Sequence, residues 1–377
     1  MDFSFTPEQE SFRAEVREFL ADWRDVDGFM CQGRAWPRVR EMFRAMGERG
    51  WLALVWPREH GGLGAGLIEE FILWDEVAYA RAARNPLAAG IVAKTLIRHG
   101  SDEQKRRWLP PIRSGDAHFS LAYSEPEAGS DLASLRTRAE RRGDAYVVNG
   151  QKCWQSYTHD MDYLWLLART GAPESRGRGL SLFIVDKNAP GVTVRPLPTM
   201  DGDQLHEIFF ENVEIPERQR VGPENGAWGI MGEALADERH IQFPPGRVRK
   251  DYEDVVGFVA TLARDSRWNA VRVAATRERL AELSVLALEV EMHALRVLDA
   301  MARGVSAVAD AAANKVAHTI ACQKIARAAF DLGGAAALAD PRIRLIWQVA
   351  TYETIGGGTS EIMRGIVARQ SLGLDAT

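Results

Sequence analysis

Cysteine is nearly absent from this chain: Cys31, Cys153 and Cys322 are the only three in 377 residues, far apart and odd in number. No CxxC pair and no His/Cys cluster of metal-ligand spacing accompanies them, which argues against a disulfide framework and predicts no metal. An excess of one charge is also lacking. Lys and Arg total 47 against 52 Asp and Glu, a formal net charge of -5, and the two signs are interleaved. That excludes a polybasic nucleic-acid or membrane surface and leaves a small molecule as the expected partner. Long apolar runs are missing too, and MDFSFTPEQE carries no basic stretch leading into an apolar one. The expectation is a protein neither exported nor membrane-spanning, in a reducing cytoplasm. Repeats and low-complexity linkers are absent as well.

What is present is apolar bulk: 46% hydrophobic residues can bury large cores, and the length suits two or three domains. Thr6-Pro7-Glu8-Gln9 combines an N-cap, a proline at the first helical position and a capping-box glutamine ahead of Phe12, Val16, Phe19 and Trp23. Helical spacing continues through Val39 to Met46, Ile68 to Ala83 and Ala88 to His99. A further helix starts at Ser101 and is expected to end at Pro110-Pro111. The first 115 or so residues therefore read as all helical.

From His118 the period changes. Arg136 to Arg141, Tyr146 to Val148, Gln151 to Gln155, Tyr163 to Ala168, Leu180 to Val185, Val192 to Arg195 and Ile208 to Ile215 read as short strands. Gly143-Asp144 and Asn149-Gly150 read as hairpin turns between them, predicting a compact antiparallel β domain. The loop from Gly171 to Gly179 reads as a surface excursion within it. After Gly222 helical spacing returns through Val271 to Met301, Ala309 to Leu332 and Ile343 to Ile355, long enough for a bundle.

Four stretches suit chemistry. Ser124-Glu-Pro-Glu-Ala-Gly-Ser-Asp131 offers hydroxyls and backbone amides held open by Gly129, fitting cofactor carbonyls or phosphates, or an acidic surface turn. Trp154 and Ser156 are two apart on a strand and so share a face, fitting a planar heteroaromatic ligand or an ordinary core tryptophan. Asp237-Glu238-Arg239, placed in a helix, fits a positioned base with a cation or a solvated ion pair. Gly356-Gly-Gly358 before Thr359, Ser360 and Glu361 reads as a helix start with free N–H groups for an anion or carbonyl, or as a tight turn.

In this order and at these separations, the four stretches resemble the acyl-CoA dehydrogenase family over essentially the whole chain. The string from Ser124 to Thr137, then Tyr-Val-Val-Asn-Gly-Gln-Lys152 and Trp154, carries the resemblance. It implies an α+β multidomain fold: an N-terminal helical domain (1–117), a middle antiparallel β domain (118–222) and a C-terminal four-helix bundle (223–377). It also implies FAD, held between the last two domains and across a subunit interface. The implied reaction is α,β-dehydrogenation of an acyl-CoA thioester, an oxidation at a CH–CH group. A carboxylate removes the α-proton, hydride leaves Cβ for flavin N5, and an electron-transfer flavoprotein accepts the electrons. Two hydrogen bonds to the thioester oxygen would stabilise the enolate, so that a modest base suffices.

Carried over by position, Leu121 to Ser130 match the flavin-lining segment, with Tyr123 and Ser124 on the pyrimidine side, then Gly129, and Ser130 between flavin and CoA. Trp154 to Ser156 match the segment flanking the ring, Ser156 standing where many members have threonine. Thr359 and Glu361 fall among the cofactor-binding positions; Arg239, Gly357 and Gly358 fall among the substrate-binding ones. Gly357 would offer its N–H to the thioester oxygen.

Three departures stand out. The glutamate that most members carry at the start of the last helix is replaced by Gly357, and Glu238, in a Glu-Arg pair on the earlier helix, becomes the implied base. The family's Arg-x-x-Phe element, which reaches the neighbouring subunit's flavin, is not recognisable in Leu262 to Trp268. Around Phe330 to Gly334 two glycines persist without the usual polar flanks. Pro244-Pro245 should break a long helix just after Glu238 and reshape the acyl site. These departures resemble bacterial enzymes, including those acting on steroid side chains, in which two unlike dehydrogenase subunits assemble. The partner is then a homologous subunit, or this chain itself. Two other readings stand beside this one: a non-catalytic subunit completing another's flavin site, and a flavin oxidase or monooxygenase on the same fold.

Overall fold

The computed structural model describes residues 4–264 and 268–374. Five helices come first: α1 (Pro7–Ala21), α2 (Gly28–Glu48), α3 (Leu67–Tyr79), α4 (Ala93–His99) and α5 (Asp102–Arg113). Eight strands follow: β1 (Phe119–Ala122), β2 (Arg138–Arg142), β3 (Ala145–Ser156), β4 (Tyr163–Arg169), β5 (Leu180–Asp186), β6 (Val192–Pro198), β7 (Gln204–Pro216) and β8 (Arg220–Val221). Seven more helices close the chain: α6 (Ala227–Asp237), α7 (Pro245–Leu262), α8 (Ala270–Ala302), α9 (Val308–Gly333), α10 (Ala335–Ala339), α11 (Pro341–Tyr352) and α12 (Ser360–Leu372).

Helix starts follow the local chemistry. Thr6 and Gln9 form the expected capping box of α1, Ser101 and Gln104 that of α5, and Asn269 caps α8. Pro110 and Pro111 do not end α5, which runs on to Arg113. Their missing N–H groups would have met the carbonyls of Arg106 and Arg107 one turn earlier. Both of those residues are exposed, so water can satisfy the carbonyls.

The chain divides into two compact units. A sheet unit comprises Cys31–Gly66 and Asn85–Glu238; a helical unit comprises Met1–Met30, Leu67–Arg84 and Arg239–Thr377. In the sheet unit the strand order is β6-β7-β3-β2-β4-β5-β8, with β1 beside β4. Most pairings are antiparallel as expected, but β1 runs parallel to β4, and Arg138 pairs in parallel with Arg169. The predicted turn at Asn149-Gly150 is not a turn. β3 runs straight through it, and the register against β7 shifts between Val148 and Gly150. Gly150 adopts φ of 149°, so the glycine serves a bulge inside a long strand rather than a hairpin. Tyr146, Leu164, Leu166, Phe183, Ile208 and Phe210 form the core of this sheet, each such burial contributing about 1.5–3 kcal/mol.

In the helical unit α9 is central, with α7, α8, α11 and α12 packed around it. Its buried residues are mostly small, including Ala312, Ala321, Ala326, Ala328 and Ala329, so neighbouring helices can approach closely. The N-terminal helices α1 and α3 pack together, and α3 also packs on α7 and α8, where Phe71 meets Ala294, Leu295 and Leu298.

Candidate functional site

Glu238 is not inside a helix. α6 ends at Asp237, Glu238 to His240 form a turn, and α7 begins with Pro245 at its first position. Helix and proline do not conflict, because the turn separates them before Pro244 is reached. Glu238 is only 8% exposed. The amide of Asn85 donates to its Oε1 at 3.0 Å. The same oxygen lies over Gly90, where an added Cβ would sit 1.5 Å away. Gly90 belongs to a π-turn, Ala88–Val92, that leads into α4, and the Trp56 indole holds its Ala89 carbonyl at 3.3 Å. Such π-turns within helices gather at functional sites.

Two of the expected flavin-lining segments are stitched together. The Ser124 carbonyl accepts from the Cys153 N–H at 3.0 Å and from Gln155 Nε2 at 3.1 Å. Beneath them the fully buried Lys152 ammonium donates to the Tyr123 carbonyl and to Glu125 Oε1, each at 2.9 Å. Glu125 also accepts the N–H groups of Arg136 and Thr137 at 2.6 and 2.8 Å. Burial opposes charge on both groups, lowering Lys152 to about 8. On Glu125 the opposing effect is overcome by Lys152 and the hydrogen bonds, leaving its carboxyl below its usual value. Sequence reasoning passed over both residues, since a lysine in a strand looks solvated until its neighbours are known.

Trp154 is 56% exposed rather than a core tryptophan, and holds φ of 72°, a costly conformation for a bulky residue. Ser156 is exposed on the same strand, with Cys153 and Gln155 buried around Trp154. Leu121 pairs with Trp165 on β1, and Ser130 is exposed. Gly129 is exposed, lacks a positive φ and leaves open space for a Cβ, so neither conformation nor crowding demands glycine there. Tyr123 is raised by burial, and the charge of Glu238 adds to the effect, which puts these two groups in one electrostatic neighbourhood. An uncovered indole beside exposed hydroxyls, on a backbone locked from beneath, suits a planar ring with polar edges. These residues fit a flavin.

In the helical unit, Gly357 and Gly358 both adopt left-handed backbone, φ of 66° and 92°. A Cβ on Gly358 would reach 2.2 Å from Met363 Cε, whereas Gly357 has ordinary room beside Gln242 and Phe243. Thr359 caps α12 by accepting from the Ile362 N–H, and Glu361 is exposed in its first turn. The turn is held by the buried ammonium of Lys315, which donates to the carbonyls of Thr354 at 3.2 Å and Gly358 at 2.5 Å. Burial lowers the Arg239 guanidinium, whose Nε has no hydrogen-bond partner. Of the segment Leu262 to Trp268, residues 265–267 lie outside the described residues. Gly334 adopts φ of 54° where α9 gives way to α10.

His318, Cys322 and Glu353 present ligand atoms within 4.8 Å of one another. Arg247 lies 2.9 Å from Glu353 and 2.7 Å from Asp251, so a guanidinium already supplies the positive charge there. A cavity of 540 Å³ in the sheet unit is lined by Arg44, Arg49 and Arg113 and by none of the expected site residues. Among the described residues no helix is long and apolar enough to cross a membrane.

Three family profiles match in order: the acyl-CoA dehydrogenase N-terminal domain over residues 6–116, the middle domain over 120–213 and the C-terminal domain over 226–372. Acyl-CoA dehydrogenase FadE26 of Mycobacterium tuberculosis is 36% identical, with 99% of each chain covered. Among solved structures, a chain of the steroid ACAD Tcur3481-Tcur3483 superposes with a TM-score of 0.90 at 31% identity. A chain of the ChsE4-ChsE5 complex from Mycobacterium tuberculosis gives 0.87 at 34%, both over the full length of each chain. With all three domains matched in order and FadE26 aligned over 99% of the chain, the chain belongs to the acyl-CoA dehydrogenase family.

Proposed function

We propose that the protein oxidises an acyl-CoA thioester at its α,β-bond, with Glu238 as the base that removes the α-proton. Family membership supports the coarser statement, an oxidoreductase acting on a CH–CH group with FAD as cofactor. The observation that carries the finer one is the Glu238 carboxylate itself: buried, held by an amide and seated against bare backbone at Gly90. A carboxylate out of bulk water is a stronger base than one in it, and a fixed one meets its proton in a single geometry. Loss of the proton to Glu238 leaves electrons on Cα, and the double bond forms as hydride leaves Cβ. FAD, when bound, supplies the two-electron acceptor. Trp154, Ser156, Tyr123, Ser124 and Ser130 are the residues of the sheet unit that would hold the ring. Gly357 offers backbone N–H to a carbonyl oxygen in the helical unit and carries no carboxylate.

We take the acyl group to be of the steroid side-chain type, in view of the similar Tcur3481-Tcur3483 steroid ACAD, and an electron-transfer flavoprotein to be the acceptor. Association with an unlike homologous subunit is taken from the similar ChsE4-ChsE5 complex; exposed apolar residues along α8, Val285 at 62%, Leu288 at 57% and Met292 at 40%, suit a subunit contact with that partner or with a second copy of this chain. The cytoplasm is the compartment that cysteine usage favours.

Glu238→Gln is expected to keep flavin bound while abolishing its bleaching by a steroid side-chain CoA thioester under anaerobic conditions. Undiminished bleaching in that variant would sink the assignment; the same indifference in a complex with a co-purifying homologue would favour a role as the non-catalytic member of a pair.

A further inference from the structure

Glycine at position 90 has no conformational reason to be there. Its φ is not positive, it sits inside a helical segment, and alanine would favour that segment. The reason is spatial. An added Cβ would lie 1.5 Å from Glu238 Oε1, 2.7 Å from its Cδ and 3.1 Å from Asn85 Nδ2. The carboxylate therefore occupies the volume a side chain would fill. Asn85, five residues earlier and just before Pro86, aims its amide at the same oxygen. The π-turn that contains Gly90 is held by the buried Trp56 indole, which donates to the Ala89 carbonyl.

We infer that Asn85 and Gly90 form a seat for Glu238, Gly90 by leaving the space and Asn85 by donating a hydrogen bond that sets the orientation and proton affinity of the carboxylate. The inference rests on Glu238 being the base. An amide that donates to the ionised form favours that form, so the seat holds the carboxylate ready to accept a proton and stops it from turning away. Other groups near it are Tyr123, which feels its charge, and the neighbouring Asp237, which is paired with Arg98. Asn85 and Gly90 are positioning residues. Neither is assigned contact with the reacting atoms.

The test titrates Glu238 directly in the full-length protein, without substrate. In pH-difference infrared spectra, the carboxyl C=O band that disappears in Glu238→Gln belongs to Glu238. Asn85→Ala is expected to move its midpoint up by about one pH unit. Asn85→Asp should move it further, because two carboxyls would share the seat. The acid limb of kcat/KM for a steroid side-chain CoA thioester should follow. Gly90→Ala should cut kcat by about 100-fold by displacing the carboxylate, with Tm unchanged or raised.

An unmoved Glu238 midpoint in Asn85→Ala, or full activity in Gly90→Ala, would overturn the inference while leaving Glu238 as base. Normal bleaching in Glu238→Gln would overturn both. Should Gly90→Ala fail to fold, the Asn85 titration decides alone.

Discussion

Two lysines with no exposed surface hold the candidate segments of the two units, and they do so with different electrostatics. In the sheet unit Lys152 meets a carbonyl and a carboxylate, Tyr123 and Glu125. In the helical unit Lys315 meets two carbonyls of the glycine turn, while Glu353 and Glu361 act on it only through longer-range attraction. The first is a buried ion pair, built into a strand that pairs with β2 and β7. The second is a cation tying off a turn whose glycines adopt left-handed backbone. The contrast teaches that one residue type can make either a charge-balanced floor or a single tether, and that removing it should cost differently in each place.

Lys152→Met is expected to have the largest effect, because Glu125 would be left buried without its counter-charge, at a cost of about 3–5 kcal/mol. Chemical denaturation measures it, and a loss below about 1 kcal/mol would erase the distinction between the two lysines. Lys315→Met leaves only neutral carbonyls unpaired, so about 1–3 kcal/mol is expected. The same variant should speed hydrogen exchange in the turn around Gly358 and leave β3 unchanged. Equal losses from both variants would break the comparison.

Acid should act first on buried histidine. Burial lowers His318 to about 4 from its ordinary 6.5, so between those values the unfolded chain binds a proton that the folded one refuses. Stability is therefore whole above about pH 6.5 and falls as pH drops towards 4, by up to about 1.4 kcal/mol per pH unit for that proton. His118 in the sheet unit has the same sign and range, and His318→Gln should remove only its own share of the slope. Below pH 4.5 Glu353 takes over. Burial would raise it, but Arg247 and Arg84 bring it down to about 2, so its contribution is lost as pH falls through that window. Stability measured from pH 7 to pH 3 in wild type and His318→Gln checks this.

The smallest change in stability is expected from Trp154→Ala. The side chain is mostly exposed, so the unfolding free energy should stay within about 0.5 kcal/mol of wild type. Flavin retention on gel filtration should nevertheless drop. Retention equal to wild type would remove Trp154 from the flavin site.

Legibility differed among the candidate residues for a physical reason. The 124–137 and 146–156 stretches announce themselves because turn chemistry, strand alternation and an aromatic are all local properties of the chain. Thr359 as an N-cap and the glycines before it were equally readable, and the structure has them capping and turning as expected. Lys152, Lys315, Asn85 and Gly90 were not. Each acquires its meaning from a partner distant in sequence, such as Glu238 lying 153 residues beyond Asn85. Two readings failed through local ambiguity. Asn149-Gly150 has the composition of a hairpin turn and serves a bulge, and Pro110-Pro111 looks like a helix stop where exposed carbonyls let the helix continue.

The sequence by itself determined where many helices start, where the period changes from helix to strand, and which stretches are candidates for flavin chemistry, because those depend on residues a few positions apart. It also determined that no carboxylate stands at Gly357. Only the tertiary structure decided that Glu238 lies in a turn rather than a helix, that Gly90 is glycine for want of space rather than for its backbone angle, and that two lysines are buried. Burial and close approach are properties of packing, and packing is settled by residues that meet only once the chain has folded.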